Sequence, residues 1–113
     1  MFGKRILERA GVPQSVVDAA YYHHVQFGGG GYPNVEIFGK DIPAEARVVS
    51  VVDFFCARTE WRPYRKPECP HTIWQEMQCL KGTWFDAEIV DAFGETEFFQ
   101  SCVANTPVVR GPL

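Results

Sequence analysis

Residues 43–59 read PAEARVVSVVDFFCART. Pro43 suits the first turn of a helix, where its missing N–H is no loss. No glycine or further proline interrupts the run to Thr59. The spacing predicts the longest helix of the chain here, with an apolar stripe at Ala46, Val49, Val52 or Asp53, and Cys56. That stripe sets Asp53 on or beside the buried face, among valines and phenylalanines. A carboxylate buried there must be paired or metal-bound.

Upstream, Gly3 to Ala10 reads as a short helix stopped by Gly11, a residue suited to the position just past a helix end. Pro13 then opens a second helix carrying Val17, Ala20 and His24 on one stripe. It is expected to end at Phe27, because Gly28 to Gly31 would lose too much backbone entropy in a helix. Tyr32-Pro33-Asn34 is turn chemistry, and a loop continues to Ile42. Downstream, Arg62 to Pro67 is a basic loop, and a helix from about His71 to Lys81 stops at Gly82. Asp86 is a suitable N-cap for a last helix, from Ala87 to about Phe99. No stretch alternates strongly with period two, so the fold class is all-α: a bundle of about five helices over residues 1–100, followed by a C-terminal tail at 101–113.

Composition narrows the function classes. The chain has 113 residues, 46% apolar and 22% charged, with a net charge of -3. One domain with a modest core is the expectation at this length. The acidic balance has the wrong sign for a phosphate-binding surface, so no DNA or RNA partner is expected. No apolar run approaches the ~18 residues of a membrane span, and Met1 to Ala10 lacks a signal-peptide core. The cysteines, Cys56, Cys69, Cys79 and Cys102, show no C-x-x-C spacing and read as free thiols of a cytoplasmic protein. With 9 Phe, 3 Trp and 4 Tyr, the chain is rich in aromatic side chains. These predict either a dense core or an apolar surface that takes a partner.

Four features carry chemistry. His23-His24 is a pair whose side chains diverge by about 100° on a helix, so the two reach different partners and do not chelate one ion as an i, i+4 pair does. Gly28 to Gly31 allows close backbone approach to an anion. Asp53 is a potential metal ligand, and Arg62, Arg65 and Lys66 form a cationic patch able to grip phosphate. Taken singly, each has an ordinary structural explanation.

Their order is more specific. His23-His24, then Gly29-x-Gly31-Tyr32-Pro33, Ile42-Pro43-x-x-Ala46-Arg47, Asp53, and Arg62-Pro63-Tyr64-Arg65-Lys66 resembles the C-terminal half of an HD-GYP domain, over about Gly3 to Phe93. Phe85-Asp86 followed by Ile89-Val90 is similar to that family's last helix start. The resemblance implies a partial HD-domain-like helical bundle. It also implies bacterial second-messenger signalling, with metal-dependent hydrolysis of cyclic di-GMP. His23, His24 and Asp53 then correspond to metal ligands, with iron or manganese as the divalent metal. Gly31, Tyr32, Pro33, Arg62, Arg65 and Lys66 correspond to substrate-binding positions, and the Gly-Tyr-Pro loop to a docking element for GGDEF-type domains.

The sequence departs from that pattern in the site itself. Val25 stands where the family has Glu, while Gly28 and Cys56 stand where it has Asp. The chain contains no His-Asp dipeptide, and its only other histidine is His71. Three ligands suffice for one catalytic metal but not for a two-metal clamp. The expectation is a degenerate module that does not hydrolyse cyclic di-GMP alone. The alternative is a non-catalytic module that binds the nucleotide or docks a GGDEF domain. Aromatics such as Phe54 and Phe55 are expected to lack packing partners within the chain, which predicts a homo-oligomer.

Overall fold

The computed structural model describes residues 7–31, 36–61, 63–64 and 66–105. Among them are six helices and no strand, as the all-α reading expects. Helix α1 is seen at residues 7–9, and α2 spans Gln14–Tyr22. A 3-10 turn at Gly39–Asp41 precedes α3, Ala44–Thr59. Helices α4 (Pro70–Cys79), α5 (Ala87–Gly94) and α6 (Glu97–Ala104) complete the bundle. Tyr32, Pro33, Arg62 and Arg65 lie outside the described residues, as does the chain beyond Asn105.

Helix α1 ends as its sequence suggests. The Val12 N–H donates to the Leu7 carbonyl and the Gly11 N–H to that of Glu8, the paired bonds of a Schellman motif. Pro43 likewise starts α3, its carbonyl accepting from the Ala46 and Arg47 amides.

Helix α3 is the spine. Near its start Ala46 joins Val25 and Ile42 in a small buried cluster. Further along, Val51 and Phe55 enter the main core with Ile73, Met77, Phe85, Val90, Phe93 and Phe99. Phe55 is fully buried, with the rings of Phe93, Phe98 and Phe99 at 5.2, 6.2 and 5.4 Å between centroids. Phe54 packs edge-on against Phe85 at 5.1 Å. The expectation that these two phenylalanines lack partners within the chain is therefore corrected: the last two helices supply those of Phe55, and Phe85, before α5, that of Phe54.

The same packing corrects the rotation of α3. The buried stripe runs through Ala46, Val51 and Phe55, whereas Val49 and Asp53 are exposed. Asp53 lies two residues from both Val51 and Phe55, about 200° around the helix, and so faces away from the core.

Two helix ends also differ from expectation. Helix α2 stops at Tyr22 and does not reach Phe27. Val25 leaves the helix to enter the cluster with Ile42, its N–H donating to the Tyr22 carbonyl. The single helix expected from Ala87 to Phe99 is two. The break falls at Glu95 and Thr96, just past Gly94, where a Cβ would stand 2.5 Å from the Trp74 indole. Thr96 then caps α6, accepting the Phe99 N–H at 3.2 Å. The bend brings Phe93 and Phe99 onto Phe55 together, and α6 runs into the stretch read as tail.

Asp86 caps α5 as its sequence predicts, accepting the Glu88 N–H at 2.9 Å. It is 3% exposed and also accepts from Arg47 Nη1 at 2.6 Å, tying the start of α3 to the start of α5. Asp86→Ala leaves a largely buried guanidinium unpaired and α5 uncapped, at a cost of about 3–5 kcal/mol. Asp86→Asn retains a capping oxygen and falls between the two. Denaturant midpoints measure both, and an alanine variant as stable as the parent contradicts this role for the pair.

Candidate functional site

Two segments distant in sequence meet beside the outer face of α3. His23 is the C-cap of α2, and His24 and Val25 follow it out of the helix. Asp53 and Ser50 share one face of α3, three residues apart. A cavity of about 110 Å³ lies between them, lined by His23, His24, Ser50, Asp53, Phe54 and Trp84, with Val25, Gln26 and Phe85 completing its wall. The three residues singled out as metal ligands thus border one cavity.

His23 is the most firmly held. Its Nδ1 lies 3.1 Å from the Ala19 carbonyl and 3.0 Å from that of Ala20. A carbonyl only accepts, so Nδ1 carries a proton, and Nε2 is the ring nitrogen left to face other partners. The His24 ring lies 3.9 Å from that of His23, tilted by 41°. His24 is exposed overall, yet desolvation where it borders the cavity lowers its pKa. The neighbouring His23 lowers it further, and Asp53 opposes both.

The donor chemistry suits a divalent ion: an imidazole with its tautomer fixed by a backbone carbonyl, a second imidazole and a carboxylate. The geometry does not. Among the described residues no group of three or more His, Cys, Asp or Glu side chains is placed to hold a metal ion. The residues present therefore do not fit a complete metal centre.

The glycine run is less a cradle than a brace. The Gly28 N–H donates to the Thr83 carbonyl at 2.7 Å, and that of Gly29 to the Gln26 carbonyl at 2.9 Å. Phe27 N–H donates to the Trp84 carbonyl, so the loop is fastened to the turn before α5. Gly31 has φ +88° and pairs with Val25, and a Cβ on it would stand 2.2 Å from the His24 carbonyl. Glycine at 31 thus lets the loop close behind the histidine pair.

Arg58 is turned inward: its guanidinium binds Glu68 with contacts of 2.7 and 2.5 Å and Glu76 at 2.6 Å, and stacks over Phe54. Hydrogen bonding to Glu68 leads the effects that raise its pKa above the ordinary arginine value. Lys66 is exposed, and Arg62 and Arg65 lie outside the described residues.

Ser50, Phe54 and Trp84 were not singled out by sequence. Ser50 had a signal, its i−3 spacing from Asp53. Trp84 had none, because only the pairing of residues 27 and 28 with 83 and 84 brings it to the cavity.

In chelator-treated protein, the His24 ring is expected to titrate below the usual 6.5. Asp53→Asn removes the stabilising charge and lowers the midpoint further, while His23→Gln raises it. Proton NMR titration reads all three, and a midpoint unmoved by Asp53→Asn contradicts their juxtaposition.

Comparison with known proteins gives this arrangement a lineage. The family profile described as HD domain matches residues 2–89. A cyclic di-GMP phosphodiesterase of Thermotoga maritima is 34% identical over 97 residues, covering 84% of this chain and 26% of that protein. The 3'3'-cGAMP-specific phosphodiesterase 2 of Vibrio cholerae is 33% identical over 92 residues, covering 80% of the chain and 17% of its own length. The cyclic di-GMP phosphodiesterase response regulator RpfG of Xanthomonas campestris is 35% identical over 85 residues, covering 74% and 22%. The chain thus spans about a quarter or less of the length of these curated relatives. With residues 2–89 matched and the ordered motifs in place, the chain belongs to the HD domain family, and within it to the HD-GYP kind.

Proposed function

We propose that this chain is a degenerate HD-GYP module of bacterial second-messenger signalling that does not hydrolyse cyclic di-GMP by itself. One observation carries the reading: His23, His24 and Asp53 border a single cavity, yet no three such side chains among the described residues are placed to hold a metal. Phosphodiesterases built on HD domains are metal-dependent as a class. Clustered metals activate a water and neutralise charge at phosphorus, and both tasks require ligands in fixed geometry. In this reading an iron or manganese centre needs donors beyond these three residues.

The cavity size supports the same reading. About 110 Å³ is well below the ~300–1,000 Å³ of ordinary small-molecule sites. It accepts a phosphate-sized group and leaves the rest of a dinucleotide on the surface. Gly31, Tyr32, Pro33, Arg62, Arg65 and Lys66 are the proposed substrate contacts, by the same family resemblance. His23 and His24 border the end of the cavity proposed for the phosphate.

Docking of a GGDEF-type domain through the Gly-Tyr-Pro loop belongs to the same proposal. So does self-association, which the exposed Val16, Val48 and Val49 support. The cytoplasm is the compartment it implies. Four free thiols support that, and no described helix is long and apolar enough to cross a membrane.

The test is an assay of the purified chain with cyclic di-GMP and Mn²⁺ or Fe²⁺. The expected result is no turnover above buffer. Turnover that His23→Ala abolishes overturns the proposal.

A further inference from the structure

Residues 60–67 lead from α3 toward α4 and include Arg62, Arg65 and Lys66, the cations proposed above as substrate contacts. Every described residue of this segment is exposed, so none of them is packed into the core. Trp61 is 69% exposed and Tyr64 81%. Two large rings left in water, in a stretch of sequence with three cations, suit a nucleotide: a flat base meets the rings and phosphate meets the cations.

The segment is closed at its base. The Glu68 N–H donates to the Arg58 carbonyl at 2.7 Å. Their side chains pair as well, Arg58 Nε and Nη2 donating to the two carboxylate oxygens of Glu68 at 2.7 and 2.5 Å. A fork of this kind fixes orientation as well as distance. The remaining nitrogen, Nη1, holds Glu76 on α4 at 2.6 Å, and Cζ lies 4.8 Å from the centre of the Phe54 ring. Phe54 lines the histidine cavity. One guanidinium thus ties the end of the loop to α4 and to the wall of that cavity.

We propose that Arg58 is a positioning residue: its clasp on Glu68 holds the loop so that the loop cations meet a phosphate-bearing ligand at the histidine cavity. The inference rests on the reading of Arg62, Arg65 and Lys66 as substrate contacts. Arg58 is spent on two carboxylates and a ring, so it acts through the loop. An unclasped loop loses conformational freedom when ligand binds, whereas the clasp takes that loss at folding. Charge alone predicts the opposite sign. Neutralising Glu68 removes a negative charge near an anion site, which by itself tightens anion binding.

Cyclic di-GMP is titrated by calorimetry into the full chain, well below the melting midpoint of each variant. Glu68→Gln is expected to weaken binding about tenfold. Glu76→Gln takes the same charge from the same guanidinium but leaves the loop base closed, so its affinity should stay within about twofold of the parent. A purely structural role for the ion network would move both variants alike. If Glu68→Gln fails to fold, Arg58→Lys, which keeps the charge and loses the fork, reads the same loss. Affinity unchanged or tightened when the clasp is broken, or lowered equally by Glu76→Gln, overturns the proposal while leaving the cations as contacts. A parent that binds no cyclic di-GMP, or whose affinity Arg62→Ala and Arg65→Ala leave unchanged, overturns the reading of those contacts and this inference with it.

Discussion

The burial of Phe55 is the constraint on which the rest depends. Its ring sits among Phe93, Phe98 and Phe99, and this fixes the rotation of α3. A helix rotated to bury Val49 and Cys56 would take Asp53 toward the core. With Phe55 inward, Asp53 faces outward beside Ser50, and the two meet the histidines that end α2. The α3 spine thus carries core on one side and site on the other. The Arg47–Asp86 pair locks its start to α5.

Signals contained within a few residues were legible in the sequence. Gly11 closing α1, Pro43 opening α3 and Asp86 capping α5 each act through bonds to near neighbours. The all-α class followed from the same local patterns. What failed was set by partners far along the chain. Gly94 leaves room for the Trp74 indole just before the helix ends at Glu95, and nothing near Gly94 announces that indole. Helix α2 ends early because Val25 is drawn to Ile42. The stripe of α3 was misplaced because Val49, Val52 and Cys56 make as plausible an apolar face as Val51 and Phe55 until the aromatics of the last two helices are counted.

The site was read from motif order more than from physical pattern. His23, His24 and Asp53 were nominated by resemblance, and they border one cavity. Their relation to each other was not legible. Nothing in the sequence shows that His23 spends Nδ1 on the carbonyls of Ala19 and Ala20, or that Gly31 tucks behind His24. Nor was the pairing of Arg58 legible. Glu68 and Glu76 claim that guanidinium, and this shows only once α4 is folded beside α3.

The central claim is that these residues form the remnant of a metal site without the ligand geometry to hold a metal cluster. Titration of Mn²⁺ into the chelator-treated chain, followed by calorimetry, tests it most directly. The account predicts no saturable binding of two or more ions per chain, and little change in the heats for His23→Ala. Two ions bound at fixed stoichiometry, and lost in that variant, would contradict it.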